Sequence, residues 1–344
     1  MTSLVADGVW VVELPLPHRG VVETTNCYLF ADDAGGVHLV DPGWDTPDNH
    51  ARLDTGLRDA GFTLDDVRSV TATHLHPDHL GLGAALRAER RVPVALHRLE
   101  HEALTRPLYP EAEETIARWG VPPEFVDEVR ANVLPRSQPP GLAADVLLED
   151  GELLPIPGRA VRVIHTPGHT VGSICLHDEV AALLLTGDHV LPIVNPGLGL
   201  GGFLPGDDPL GLALDSYDRI AAYDDAEVLP GHGARFHGVA ARATQIAERH
   251  RRRSAEIAAL ADADPDATVW AIAERVNWTG GWGSSQGAAV AVAPSAGIKT
   301  PTATASTTAN AVAARVRLGV TTGSFVCLSD PNATETIQAA ASRD

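Results

Sequence analysis

The chain has 344 residues, with 26 Lys and Arg against 45 Asp and Glu, which gives a formal net charge of −19 at pH 7. This charge argues against non-specific binding to nucleic acid or to an anionic membrane. With 44% hydrophobic residues the chain can build a large core, which excludes general disorder and predicts one large domain or two ordinary ones. An acidic start and the lack of about 18 consecutive apolar residues predict a cytoplasmic protein with no membrane partner.

The three cysteines, Cys27, Cys175 and Cys327, are far apart and form no C-x-x-C pair. Such spacing indicates neither a disulfide framework nor a thiolate zinc site. Histidine is the abundant metal-ligand type instead, with 15 residues. The distribution of the histidines along the chain therefore carries most of the functional information.

The first hundred residues predict strands that alternate with helices. Segments rich in β-branched residues and bounded by Gly, Asp or Pro predict strands at 9–16, 25–31 and 36–43. Leu53, Leu57 and Ala60 recur at helical spacing before Gly61, which predicts a helix at 48–61. The pattern then predicts a strand at 67–73, a helix at 80–89 and a strand at 92–96. This order is typical of a layered α/β fold with extra strands.

Residues 98–135 are charged and mostly helical in pattern, with interruptions at Pro107, Pro110, Pro122 and Pro123. We expect an insertion that lies over one face of the core as a lid. Strands are predicted next at 161–165, 173–176 and 181–185. A Gly- and Pro-rich loop follows at 192–209, and loops of that length tend to be functional. Helical patterns return at 209–223, 239–260 and 265–276.

The composition changes near the C-terminal end. From residue 284 to residue 344 only seven residues are charged, and Ala, Thr and Ser dominate. This segment lacks a clear amphipathic period and is expected to be disordered, with a small folded domain as the alternative. We therefore predict a main domain over 1–240, a helical extension over 241–283 and a low-complexity tail over 284–344.

The strongest local pattern is a run of metal-ligand types between a predicted strand and a predicted helix: His74, His76, Asp78 and His79. Alternation along the strand would send His74 and His76 to the same side, and the turn that follows would add Asp78 and His79. Imidazole and carboxylate are ligands that Zn²⁺, Fe and Mn accept without thiolates. The run therefore predicts a site for one or two metal ions.

Three later fragments place a ligand-type residue beside glycine at a predicted strand end. They are Pro-Gly-His-Thr around His169, Gly-Asp-His around Asp188 and Pro-Gly-His-Gly around His232. Glycine permits sharp turns and close backbone approach, so a side chain at a strand end can face a shared cleft. We expect these three residues to join the first run.

In this order, the motifs His-x-His-x-Asp-His, Pro-Gly-His-Thr, Gly-Asp and Pro-Gly-His-Gly resemble those of the metallo-β-lactamase-fold hydrolase superfamily, over residues 10–240. The resemblance implies an α/β fold, an αββα sandwich with a C-terminal helical extension. It also implies two metal ions, expected to be Zn²⁺ with Fe or Mn as alternatives. Their ligands form two sets with one shared residue: His74, His76 and His169 for the first ion, Asp78, His79 and His232 for the second, and Asp188 as the bridge.

Such a pair of ions implies hydrolysis. A hydroxide shared by two divalent cations forms near neutral pH, while one cation polarises the carbonyl or phosphoryl oxygen of the substrate. Asp78, beside that hydroxide, is expected to be the catalytic residue that takes or returns a proton as the intermediate breaks down.

Other residues have two open interpretations each. His189 follows the bridging residue and is a candidate for substrate binding, but neighbours at a strand end point in opposite directions. Arg249 and Arg252 lie in the basic run 249–253, which is either a solvated helix face or a contact for an anionic substrate tail. Asp41 either supports the metal ligands, as in similar proteins, or is a plain turn residue.

The Gly-Asp-His sequence and the regions 245–253 and 268–276 most resemble the glyoxalase II-like and β-lactamase-like-protein branch. This implies hydrolysis of a thioester, ester or lactone of a small acyl molecule, with a CoA- or carrier-linked acyl group as one form. A single-strand endoribonuclease and a mononuclear iron persulfide dioxygenase are the alternatives, although the net charge disfavours nucleic acid as a partner. The oligomeric state stays open, a homodimer included.

Overall fold

A computed structural model of the protein describes residues 2–17, 22–105, 112–133, 143–204 and 206–276. Its larger sheet has seven strands: β1 Thr2–Ala6, β2 Val9–Pro15, β3 Thr24–Ala31, β4 Val37–Val40, β5 Val67–Thr71, β6 Val94–His97 and β7 Val146–Leu148. They lie side by side in chain order. The strands from β1 to β4 pair antiparallel, whereas those from β4 to β7 pair parallel. Parallel pairs need crossovers, which the helices α1 Pro47–Asp59 and α2 Pro77–Arg90 provide for β4 to β6.

The smaller sheet has four strands: β8 Val161–His165, β9 Ile174–Asp178, β10 Leu183–Gly187 and β11 Glu227–Pro230. Their spatial order is β11-β10-β9-β8, and only β10 and β11 are parallel. The crossover between those two strands contains the predicted long loop and the helix α6 Pro209–Ile220. The segments that carry the three later candidate ligands follow the ends of strands in this sheet.

Buried side chains form three apolar layers. Val11 and Phe30 of the larger sheet pack with Val163 and Leu185 of the smaller sheet between the two sheets. The outer face of the larger sheet is covered by α1 and α2, and the outer face of the smaller sheet is covered by α6 and α7 Val239–Ala263. This is the expected αββα sandwich, in which each sheet buries both faces.

The insertion is helical, as its pattern predicts. It contains α3 Arg98–Thr105, α4 Ala112–Arg118 and α5 Val126–Val133. Ile116, Trp119 and Val129 of this region pack against Trp270 of the last described helix, α8 Val269–Arg275. Residues 241–276, the described part of the predicted extension, contain most of α7 and all of α8. The predicted tail at 284–344 lies outside the described residues. Across the part of the chain that is described, none of the helices is long and apolar enough to cross a membrane.

The segment around the first histidine run differs from its prediction at both ends. β5 ends at Thr71 rather than residue 73, and α2 begins at Pro77 rather than residue 80. Proline is favoured at the first helical position because its missing N–H needs no partner there, and His76 is the N-cap. His74 and His76 therefore lie in a connecting segment, so strand alternation is the wrong reason for their common direction.

Two histidines outside the ligand motifs join the sheets. His97 at the end of β6 stacks on His165 at the end of β8, with ring centroids 4.2 Å apart. Burial, followed by the charge of His165, lowers the pKa of His97 from 6.5 to about 4. The unfolded chain therefore binds protons more readily between these values, and folding stability is lost as the pH falls through that window.

Replacing His97 by Phe should keep the stack and remove this titration. Between about pH 7 and pH 4.5 we expect the free energy of unfolding of metal-free wild type to fall more steeply than that of His97→Phe, by up to about 1.4 kcal/mol per unit of pKa difference. Denaturant unfolding at a series of pH values measures the slopes, with His237→Phe at an exposed histidine as the control. Parallel curves for wild type and His97→Phe would show the stack has no such effect.

Candidate metal centre

The seven candidate ligands meet at one edge of the sandwich. The histidines at 74 and 76 follow β5, Asp78 and His79 lie in the first turn of α2, and His169, Asp188 and His232 follow β8, β10 and β11. Their ligand atoms form three overlapping groups in which all atoms lie within 4.8 Å of one another: His74, His76 and His169; His74, His79 and Asp188; Asp78, His79 and His232. The structure thus brings together every residue that the motifs single out as a metal ligand.

The first group consists of three imidazoles whose nitrogens converge. His76 Nδ1 lies 2.9 Å from His74 Nε2 and 3.1 Å from His169 Nε2. A tetrahedral zinc ion with Zn–N bonds of about 2.0–2.1 Å holds its ligands about 3.3 Å apart. The spacing of these nitrogens is therefore close to what one ion requires.

The second group adds a carboxylate. His79 Nε2 and His232 Nε2 are 3.3 Å apart. Asp78 Oδ2 lies 3.4 Å from His232 Nε2 and 3.8 Å from His79 Nε2. One carboxylate oxygen and two imidazole nitrogens at this spacing suit a second divalent cation.

Asp188 lies between the two groups and turns one oxygen toward each. Its Oδ2 is 3.6 Å from His169 Nε2 in the first group, and its Oδ1 is 3.3 Å from His232 Nε2 in the second. Oδ1 is buried and accepts no hydrogen bond. A buried carboxylate oxygen without a donor is costly unless something else binds it. The polar neighbours of Oδ1 include the nitrogens His232 Nε2 at 3.3 Å and His79 Nε2 at 3.5 Å, so the donor set and the position of this oxygen both fit a pair of cations that share Asp188.

The outer nitrogens of three ligand histidines face backbone carbonyl oxygens: His76 Nε2 to Leu200 O at 3.1 Å, His169 Nδ1 to Gly197 O at 2.8 Å and His232 Nδ1 to Thr24 O at 2.7 Å. A carbonyl can only accept, so each outer nitrogen must carry the proton and donate it. In the neutral imidazole the inner nitrogen is then left with its lone pair for a metal. These carbonyls therefore orient the rings for coordination.

Asp41 orients the other two ligand histidines. Its Oδ2 accepts hydrogen bonds from His79 Nδ1 at 2.9 Å and from Thr73 Oγ1 at 2.7 Å. The Thr73 hydroxyl in turn accepts from His74 Nδ1 at 3.1 Å. Asp41 has φ 52°, a strained value for a residue other than glycine. Of the two interpretations of Asp41, its contacts favour support of the ligands.

The electrostatics differ between the two groups. Burial lowers the pKa of His74 well below 6.5 and that of His169 to about 4, which keeps these rings neutral. Burial also disfavours charge on His79, but the surrounding carboxylates outweigh it and raise its pKa to about 9, in the order Asp188, Asp41 and Asp78. Without a cation the second group therefore holds protons, and a metal ion would replace them.

Two glycines of the motifs are required by close contacts. Gly187 has φ 48°, and a Cβ there would lie 2.5 Å from Thr73 Oγ1. A Cβ at Gly231 would lie 2.8 Å from His79 Cε1 and 2.9 Å from Asp188 Oδ1. All three distances are too short for any side chain, so glycine lets the strand ends approach the ligands closely.

The long loop between β10 and α6 forms a wall of the first group, because it supplies the carbonyls of Gly197 and Leu200. Arg242 of α7 fastens the start of this loop, with donors to three carbonyls near the loop's beginning: Leu191 at 2.7 Å, Ile193 at 3.1 Å and Val194 at 2.7 Å. The helical extension thus supports the site, a role that the sequence pattern of Arg242 did not reveal.

Asn26 of β3 ties the second group to the larger sheet. Its Nδ2 donates to Pro230 O at 3.0 Å and to Gly233 O at 2.8 Å, on either side of His232 in the chain. Its backbone N–H also donates to Gly231 O at 2.8 Å. The partners are more than 200 positions apart, so only the fold could reveal this contact.

Replacing Asn26 by alanine should cost about 1–3 kcal/mol of stability and should also weaken divalent-metal binding at the second group. Asn49→Ala is a matched control, since Asn49 is also buried and its Nδ2 also bridges two backbone carbonyls, those of Pro15 and Trp44. Thermal unfolding and chelator competition measure the two effects. We expect both variants to lose stability and only Asn26→Ala to lose metal affinity; equal metal affinities would show that Asn26 only stabilises the fold.

The three weaker candidates belong to none of the three ligand groups. His189 is 2% exposed and stacks on Tyr217 of α6, with centroids 4.6 Å apart. Tyr217 also stacks on His250 of α7 at 6.2 Å. Arg249, next to His250, and Arg252 are exposed on α7, and Arg252 lies 3.9 Å from Glu248. Ring contacts therefore connect the basic run to the neighbourhood of Asp188.

Comparison with known proteins gives a family match over most of the sandwich. The model of the metallo-beta-lactamase superfamily matches residues 20–232. Among solved structures, a metallo-beta-lactamase family protein from Thermus thermophilus is 30% identical with a TM-score of 0.66. The alignment covers 83% of this chain and 90% of that one.

Curated relatives include proteins named as thioesterases and one named as a hydroxyacylglutathione hydrolase. Acyl-coenzyme A thioesterase MBLAC2 of Homo sapiens is 35% identical over 35% of this chain and 40% of its own length. Atrochrysone carboxyl ACP thioesterase dmxR1 of Cryptosporiopsis sp. is 24% identical over 71% of this chain and 60% of its own length. Hydroxyacylglutathione hydrolase GloC of Haemophilus influenzae is 24% identical over 61% and 85%. The chain thus spans less than two thirds of the first two.

Proposed function

The chain belongs to the metallo-β-lactamase superfamily, whose model matches well over half of it, and from this premise we propose a metal-dependent hydrolase of small-molecule acyl thioesters. The observation that carries the proposal is the pair of ligand groups with Asp188 between them, one carboxylate oxygen turned toward each. Two Zn²⁺ ions suit the nitrogen and carboxylate donors best. When bound, such ions supply a nucleophile from water at neutral pH and polarise the substrate carbonyl.

Asp78 is the residue we assign to proton transfer. Its side chain is 20% exposed and that of Asp188 is 13% exposed, so Asp78 is the more open of the two carboxylates in the centre. The nearby charges of His79 and His232 outweigh burial and hold its pKa below the usual range. Asp78 therefore stays ionised near neutral pH and can accept a proton from water and return it to the leaving thiolate.

Two observations support an acyl carrier as part of the substrate: the names of three relatives and an exposed basic surface on α7. The relatives are named for thioesters of coenzyme A, of an acyl carrier protein and of glutathione. Arg249 and Arg252 expose guanidinium groups on α7 in a chain of charge −19. We propose that they attract the phosphates of a CoA or phosphopantetheine tail. His189 is buried against Tyr217, so we assign it to packing beside Asp188 rather than to substrate contact.

A substrate panel with metal-loaded protein tests the proposal. It contains an acyl-CoA thioester, S-lactoylglutathione, an aryl ester, a lactone and a single-stranded RNA, each with oxygen uptake recorded. We expect a thioester to have the highest kcat/KM and Arg249→Gln to raise KM for acyl-CoA but not for the aryl ester. Selective cleavage of RNA, or oxygen uptake with iron and no thioester turnover, would overturn the assignment in favour of a nuclease or a dioxygenase.

A further inference from the structure

Glu100, in the first turn of α3, is a fully buried carboxylate that joins the two segments carrying the first ligand group. Its Oε2 accepts the N–H of Leu75 at 2.7 Å, and Leu75 lies between His74 and His76. Its Oε1 accepts the N–H of Gly172 at 2.6 Å, in the turn that follows the third ligand. One side chain thus fixes the positions of the two segments relative to each other.

The surrounding structure is built closely around this carboxylate. A Cβ at Gly172 would lie 2.7 Å from the backbone nitrogen of Glu100 and 3.0 Å from its Oε1, so glycine is needed there. The Thr170 hydroxyl is a further hydrogen-bond partner of the carboxylate, and Thr170 follows the third ligand directly. The described partners of Glu100 are therefore N–H and hydroxyl groups of the ligand segments, rather than a cation.

Glu100 lies in the insertion, because α3 is its first helix. The sequence predicts that this charged segment lies over the core. Burial of an acidic side chain is costly without partners, yet Glu100 is buried and both of its oxygens contact ligand segments. The insertion is thereby attached to the first ligand group through this side chain.

We propose that Glu100 is a positioning residue for the first metal ion. This inference rests on the proposed function, because it assumes that His74, His76 and His169 bind a cation. Glutamine at position 100 has one acceptor oxygen, and its NH₂ group cannot accept the second N–H. One of the two segments is then released, and affinity for the first ion should fall roughly 10–100-fold, as outer hydrogen-bond partners of ligands typically show.

The experiment measures Zn²⁺ affinity by chelator competition in full-length His232→Ala, where only the first group is complete, with and without Glu100→Gln. Glu102→Gln is the matched control, because Glu102 lies on the same helix and its partly exposed carboxylate pairs with Arg98 at 2.9 Å. Hydrogen exchange at the amides of Leu75 and Gly172 provides a readout independent of metal and activity. We expect faster exchange and weaker Zn²⁺ binding for Glu100→Gln only.

Different results would contradict the proposed function and the positioning role of Glu100. Wild-type protein that binds no divalent ion overturns the proposed function itself. Wild type that binds Zn²⁺, with equal affinities for Glu100→Gln and Glu102→Gln, overturns the positioning role alone. Should Glu100→Gln fail to fold, Gly172→Ala tests the same contact by displacing the carboxylate, and unchanged Zn²⁺ affinity in that variant also overturns the role.

Discussion

Replacing Asp78 by asparagine is expected to lower kcat/KM for an acyl thioester roughly 10²–10⁴-fold, the usual contribution of a positioned acid or base. The amide keeps the size of the side chain but neither carries charge nor accepts a proton near neutral pH. Circular dichroism should show an unchanged fold, because Asp78 lies in the first turn of α2 and is not part of the apolar layers. Steady-state kinetics at saturating metal measure the loss.

Asp48→Asn provides the control for this variant. Asp48 also follows a proline in the first turn of a helix, α1, and its exposed carboxylate pairs with Arg52 at 2.8 Å. Both variants therefore lose the same favourable interaction with a helix N-terminus. We expect Asp48→Asn to retain full activity. Full turnover by Asp78→Asn with its metal still bound would rule out the proton-transfer role.

The second large effect is expected at Asp188. Because an asparagine amide has one oxygen, Asp188→Asn cannot offer an oxygen to each ligand group. We expect metal content to fall from about two ions per chain to about one, and kcat/KM to fall at least about 10³-fold, since metal activation contributes several kcal/mol. Elemental analysis after gel filtration gives the metal content, and the thioester assay gives the rate.

Asp178→Asn is the matched comparison, because Asp178 is a buried aspartate at the end of β9 in the same sheet. Its Oδ2 pairs with Arg159 at 3.1 Å, and its Oδ1 accepts two backbone N–H groups. Loss of that network should lower the melting temperature without changing metal content. Equal metal content in the two variants would contradict the shared position of Asp188.

The ligand residues could be predicted from the sequence because their signal is local. Each one stands within two positions of glycine or of another ligand, close to the end of an apolar segment, and the fold brings strand ends together. The partners that orient them could not be predicted, since Thr24 is 208 positions from His232 and Leu200 is 124 positions from His76. Backbone carbonyls also carry no residue-type signal.

For the helices and strands, too, elements with a local sequence pattern could be predicted and long-range pairing could not. Strands and helices with clear periodicity were predicted, whereas β1 and β7 were not. β7 has only three residues, all of them apolar, so its sequence has no alternating pattern. Two of them, Val146 and Leu147, are 40% and 44% exposed. Pairing with β6 is what makes it a strand. Burial of Glu100 could not be predicted either, because its segment is charged and only the fold shows that this acidic side chain is buried.

Titration of metal-free protein with Zn²⁺ while acyl-thioester turnover is recorded tests the central claim most directly. If two cations share Asp188, turnover should be absent without metal, rise with each addition and level off at about two equivalents, with no oxygen uptake. Full turnover in metal-free protein, or turnover that levels off at about one equivalent of Zn²⁺, would contradict a dinuclear thioester hydrolase.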